Sequence, residues 1–164
     1  MEQKFLREVI IPKEEYFSFD IETSKPLEAY KKHYNIFAKM LQIKRSRHYV
    51  RDLRFDATDN SFFIRIDISD VFDSSQFFVT SYIIETILSG VIPKQNEKTK
   101  LNIKLRAILR CEITIEGEGF WFKLKRFLTQ LYFKLFYEKV FEDRIKRLEE
   151  VLEKAKSEFI RILS

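Results

Sequence analysis

The chain has little that would staple or punctuate it. A single cysteine, Cys111, excludes an internal disulfide and the usual zinc clusters. Glycine and proline number three each, so long stretches contain nothing to break a helix or strand. No apolar run reaches the roughly 18 uncharged residues that a membrane span needs. Met1 to Phe5 is polar and no apolar leader core follows, so a cytoplasmic protein is expected. Basic residues outnumber acidic ones by five, but the two signs are interleaved and form no Lys/Arg run, so no nucleic-acid partner is expected. His33 and His48 are the only histidines, and they match no metal-ligand spacing. No G-x-S-x-G elbow or Ser-His-Asp order is present. Catalytic residues, metals and cofactors are accordingly assigned to none.

What is present is apolar and periodic. Phenylalanine occurs 17 times. The length fits one domain, 1–164, with a sizeable core. Low Gly and Pro with many Lys, Glu, Arg and Ile suits a heat-adapted organism. Residues 1–15 read as an N-terminal extension, either a short helix or an extra strand before Pro12. Tyr16 to Thr23 alternates as a strand, with Phe17, Phe19 and Ile21 on one face. Ser24-Lys25-Pro26 starts a helix over about 26–41, with Leu27, Tyr30, Tyr34, Phe37 and Leu41 as its stripe. Arg47 to Ala57 and the run from Phe62 to Phe72 form a hairpin across Thr58-Asp59-Asn60. A register in which opposed residue numbers sum to 119 brings both apolar sets to one face. Asp73 to Gln76 is a second turn. The run from Phe77 is apolar on both faces, and Ser89-Gly90 predicts a bulge or kink. Lys100 to Glu116 alternates most clearly of all.

Gly117 and Gly119 end that strand, and no Gly or Pro follows. Phe141, Ile145, Leu148, Leu152, Ala155, Phe159 and Ile162 lie on one stripe of a terminal helix. One straight helix over the last 45 residues would be about 67 Å long. The apolar phase also changes after Leu135, so a break or kink is expected between about 120 and 138.

The order is thus strand, helix, antiparallel meander and a C-terminal helical region at about 120–163. Two stretches, Phe17 to Tyr30 (FSFDIETSKPLEAY) and Gly119 to Leu152 (GFWFKLKRFLTQLYFKLFYEKVFEDRIKRLEEVL), make the chain resemble the START-like superfamily, also called SRPBCC. That superfamily includes polyketide cyclase/dehydrase-like and lipid-transfer proteins. The resemblance implies an α+β helix-grip fold: a curved antiparallel sheet of six or seven strands wrapped around a long C-terminal helix. It also implies an apolar cavity between sheet and helix that receives a lipid or other hydrophobic small molecule. The lining would be Phe19, Ile21, Leu53, Phe55, Ile64, Ile66, Ile103, Leu105, Phe141, Ile145 and Leu148; the alternative is that these fill a solid core. In the expected register Arg51 and Asp70 are diagonal neighbours on the inner face, either as polar anchors for a head group or as a pair reaching water. Cys111 falls on the apolar phase of its strand, as a core residue.

Three functions follow. The first is non-catalytic binding or transport of a hydrophobic molecule or lipid. The second is a cyclase- or dehydratase-like enzyme using acid–base groups in the cavity. The third is a protein-interaction or membrane-associated module. Its surface would be residues 120–136, where Phe, Trp and Leu are more numerous than one buried face needs and Lys123, Lys125, Arg126 and Lys134 lie among them. A solid core beside a broad exposed apolar patch would favour this third reading.

Overall fold

A computed structural model describes residues 2–13, 15–41, 47–74 and 78–164. Six strands form one antiparallel sheet: β1 (Glu2–Ile11), β2 (Phe17–Thr23), β3 (Arg47–Asp56), β4 (Ser61–Ser74), β5 (Phe78–Val91) and β6 (Thr99–Glu116). The strand order is β1-β6-β5-β4-β3, and β2 pairs with the other half of β6's outer edge, beyond β1. The N-terminal residues are therefore a strand, integrated by pairing of Glu2–Ile11 with 107–116. Helix α1 (Glu28–Leu41) follows β2. The C-terminal region is helical from 119 to 163: α2 (Gly119–Tyr132), a π turn (Phe133–Tyr137) and α3 (Glu138–Leu163). The sheet is curved and unclosed, and the terminal helix packs against it, as the α+β helix-grip expectation requires.

The π turn falls inside the interval where a break or kink is expected, but the helical region runs through it without interruption. Its wider i→i+5 bonds insert an extra residue into the turn, which shifts the side-chain phase between α2 and α3. Tyr137, 6% exposed, anchors the turn through a short hydrogen bond with Thr80 on β5. From there Phe141, Leu148, Leu152, Ala155 and Phe159 run buried along α3. They meet Ile64, Ile66 and Ile68 of β4, Ile84 and Leu88 of β5, and the alternating Leu101–Cys111 set of β6 in one cluster. Cys111 is buried there, on the apolar phase.

Four local expectations are corrected. The α1 stripe is Ala29, His33, Ile36, Phe37 and Leu41, whereas Tyr30 and Tyr34 are 38% and 40% exposed. The true stripe contains a buried polar residue, His33, which masks it in an apolar count. The β3–β4 register sums to 117 near the turn, as in Phe55 opposite Phe62, not 119. A bulge at Arg51 then changes it, so that Val50 faces Ile66 and His48 faces Ile68. One extra residue flips the side-chain phase, so Tyr49 leaves the inner face and His48 joins it. Finally, Ser89-Gly90 makes no bulge. The register of β5 runs through it unshifted against β4. A Cβ at Gly90 would lie 3.1 Å from the Lys100 carbonyl oxygen, so the glycine serves close backbone approach. Of the second expected turn, residues 75–77 lie outside those described.

Candidate functional site

The residues named as a cavity lining separate into two groups. Ile66, Ile103, Leu105, Phe141 and Leu148 have no exposed surface at all, and Ile64 has 2%. A side chain that lines a chamber wide enough for water would retain surface, so these atoms fill the core. Ile21 is also buried, and Phe19 and Ile145 pack against the cluster at its rim. Leu53 and Phe55 are 67% and 56% exposed on the edge strand. Grooves open at the surface. One of about 310 Å³ lies between the end of β1 and α3, with Ile11, Pro12 and Ile145. Another of about 490 Å³ lies between α1 and the end of α3, with Ile36, Lys39 and Arg161.

Arg51 and Asp70 are not neighbours. The bulge turns Arg51 to the outer face, where its Nε donates to Asp67 Oδ2 at 2.7 Å and its Nη2 to the Tyr49 hydroxyl at 3.0 Å. Asp70 stays on the helix side, opposite Tyr82, whose hydroxyl is pushed up by burial and further by the Asp70 charge.

The outer face carries a network that the alternation alone did not reveal. Asp67 is fully buried and Glu85 is 5% exposed. They are cross-strand partners, and Arg106 lies opposite Glu85 on β6. Arg65 Nη2 donates to Glu85 Oε1 at 2.8 Å and Arg106 Nε to Glu85 Oε2 at 2.7 Å. Tyr16 donates to the same oxygen at 3.2 Å, and its ring lies 4.4 Å beneath the Arg106 guanidinium. Burial raises the Glu85 pKa, but the two arginines outweigh it and leave the carboxyl below its usual range. At Asp67 burial wins over Arg51 and the carboxyl stays above its usual range. Both acids are held by arginines on the face away from the helices, an arrangement that ties β3 through β6 together.

A second buried polar group links α1 to the sheet. His33, fully buried, has Nε2 2.7 Å from Thr86 Oγ1 and Nδ1 3.3 Å from His48 Nε2. Burial, with a smaller contribution from His48, pulls the His33 pKa down to about 3.

The exposed apolar surface is concentrated on α2. No side chain of this helix is buried. Gly117 (φ 143°) and Gly119 (φ 65°) end β6 and turn the chain into it, conformations that a side chain would strain. At about 100° per residue, Phe120, Leu124, Phe127, Leu128 and Leu131 share an arc of about 100°, which Trp121 and Tyr132 widen to about 140°. Phe120, Trp121, Phe127 and Leu128 are 72%, 74%, 60% and 53% exposed. The opposite arc holds Phe122, Arg126 and Thr129 and faces the sheet: the Arg126 guanidinium stands 5.1 Å over the Phe5 ring. A groove of about 210 Å³ between Phe5, Ile113, Ile115, Thr129 and Phe133 lies beneath. Leu135 and Phe136 of the π turn, 62% and 66% exposed, continue the outward apolar surface. The helix is thus mounted with its apolar side out. Lys123 and Lys134 flank this side on one edge and Lys125 on the other, and residues 119–137 contain no acid.

No family model and no curated protein matches the chain. Among solved structures it is similar to a protein of unknown function from Staphylococcus aureus, at 8% identity and a TM-score of 0.28, with 95% of this chain and 93% of that one covered. An uncharacterised protein from Rhizobium leguminosarum gives 8% identity and a TM-score of 0.23 over 94% and 99% of the two chains. TM-scores this low establish no shared fold. The chain is an antiparallel sheet carrying a C-terminal helix, compatible with the helix-grip arrangement.

Proposed function

We propose that this protein is a peripheral membrane-binding module that docks on an anionic lipid surface through α2 and the π turn. The observation that carries the reading is the outward apolar face of α2, bordered by lysines on both edges and free of acids between 119 and 137. Such a helix lies in the plane of the headgroups with its apolar side inserted and its lysines at the phosphates. The mode is peripheral, since no helix of the described residues is long and apolar enough to cross a membrane. A filled core beside an exposed apolar patch supports this reading over an enclosed ligand. The START-like resemblance belongs to the same proposal, because lipid-handling members of that superfamily must meet a bilayer.

Co-sedimentation with vesicles of phosphatidylcholine containing phosphatidylglycerol tests it. Leu128→Glu removes an insertion worth about 1 kcal/mol and adds repulsion of similar size, so binding falls about thirtyfold. Leu128 is half exposed, so the melting temperature stays unchanged. Binding that is absent in the native chain, or indifferent to Leu128→Glu, contradicts the reading.

A bound apolar molecule is the second reading. It is supported by the groove beneath α2, lined by Phe5, Ile113, Ile115 and Phe133. At about 210 Å³ it is smaller than ordinary ligand pockets of about 300 Å³ or more, so α2 would have to lift to admit a molecule. A lipid co-purifying in native mass spectrometry would support it, and an unloaded mass with no lipid-induced thermal shift would remove it.

A further inference from the structure

Strand β3 is the edge of the sheet, paired with β4 on one side only. Among the described residues its other side has no strand beside it, yet it is ten residues long and partly apolar. On its helix-side face Val50, Leu53 and Phe55 are 40%, 67% and 56% exposed. Long edges of this kind are usually blunted or paired.

We infer that β3 pairs antiparallel with β3 of a second copy of this chain, extending the two sheets into one across a two-fold axis at Arg51–Asp52. The argument is the self-complementarity of RHYVRDLRFD. With opposed residue numbers summing to 103, Arg47 meets Asp56 and Arg51 meets Asp52. Tyr49 meets Arg54, Val50 meets Leu53, and His48 meets Phe55. No like charges oppose each other. A shift of one residue sets Arg51 against Arg51 or Asp52 against Asp52. A shift of two sets Arg47 against Arg54 or Arg51 against Arg54. Like charges directly opposite destabilise a sheet, so one register stands out.

The bulge at Arg51 makes that register geometrically possible. In a regular strand, residues whose numbers sum to an odd value point to opposite faces, and such a pairing cannot close around a two-fold axis. The extra residue between Val50 and Asp52 flips the phase. His48, Val50, Leu53 and Phe55 then share the helix side, while Arg47, Tyr49, Asp52, Arg54 and Asp56 share the outer side. A bulge commonly protects an edge, but one centred on the axis displaces both copies equally.

Helix α1 adds to the interface. Tyr34, 40% exposed, lies 5.4 Å from the His48 ring, and the partner's Phe55 would arrive against His48. Exposed Leu53 and Phe55 are thereby covered by the partner's Val50, His48 and Tyr34, which the monomer leaves open. An axis normal to the sheet also keeps both helix-bearing faces on one side. This inference does not depend on lipid binding and is tested without lipid.

Sedimentation velocity of the full chain from about 1 to about 100 µM decides it. The expected result is a reversible dimer of the 19.9 kDa chain. Arg47→Asp and Asp56→Arg each place like charges opposite one another and weaken the dimer at least tenfold, while the double variant in one chain restores both pairs and the affinity. Both positions are exposed, so the melting temperature of the monomer verifies folding. A monomer at every concentration, or a dimer that Arg47→Asp leaves unchanged, overturns the pairing. Single variants that weaken the dimer without rescue by the double variant overturn the register.

Discussion

Lowering the pH should destabilise this protein through His33. The imidazole is fully buried against Phe37 and Phe159, with both ring nitrogens committed to Thr86 and His48. Its pKa falls from the ordinary 6.5 to about 3. A base whose folded pKa is depressed contributes stability that is complete above 6.5 and is lost as pH falls toward 3. In that window the unfolded chain binds one proton that the folded chain does not, and the slope is about 1.4 kcal/mol per pH unit. Between pH 7 and pH 5 the loss is about 2 kcal/mol. Urea unfolding followed by circular dichroism at pH 7.5, 6.5, 5.5 and 5.0 measures it. His33→Gln keeps an amide that can bond Thr86 and removes the titration. The variant should lose about one proton from the pH slope between 6.5 and 5. His48, whose pKa burial also lowers, contributes a residual slope of the same sign in both proteins. A variant with the native slope would refute the buried, neutral imidazole.

Two further outcomes concern the frame that carries the docking surface. Arg106→Ala leaves the buried Glu85 carboxylate with Arg65 and Tyr16 alone and should cost about 2 kcal/mol in chemical denaturation; a loss no larger than that of a surface arginine would show the network to be idle. Gly90→Ala sets a methyl 3.1 Å from the Lys100 carbonyl and should cost about 1 kcal/mol or more, visible as a lower melting temperature; an unchanged or higher melting temperature would mean that the backbone yields freely.

Where periodicity is strong, the residues predicted the fold well. The alternation from Leu101 to Ile115 and the α3 stripe from Phe141 to Phe159 depend on one choice of period, and both lie in the core. The phase change after Leu135 coincides with the π turn at Phe133–Tyr137, although the helix continues through it. What escaped was non-local. A single extra residue at Arg51 reversed the inner and outer sides of half a strand, and alternation counts have no way to see it. His33 hid the α1 stripe because a histidine reads as polar until Thr86 and His48 satisfy it from distant strands. Asp67 and Glu85 drew no attention in the sequence because their arginine partners sit on other strands. The surplus of apolar residues in 120–136 was legible; the direction in which α2 presents them depended on which arc the sheet claimed.

Trp121 is the only tryptophan, 74% exposed on the margin of the proposed docking face beside Leu128, so its emission reports contact directly. The decisive measurement is a titration with phosphatidylglycerol-containing vesicles, repeated with lipids brominated near the headgroup end of the chains. Docking through α2 predicts a blue shift, quenching by the bromines and reversal by high salt as the lysine contribution is screened. Emission that stays at its aqueous position at lipid excess, with no quenching, would contradict the account.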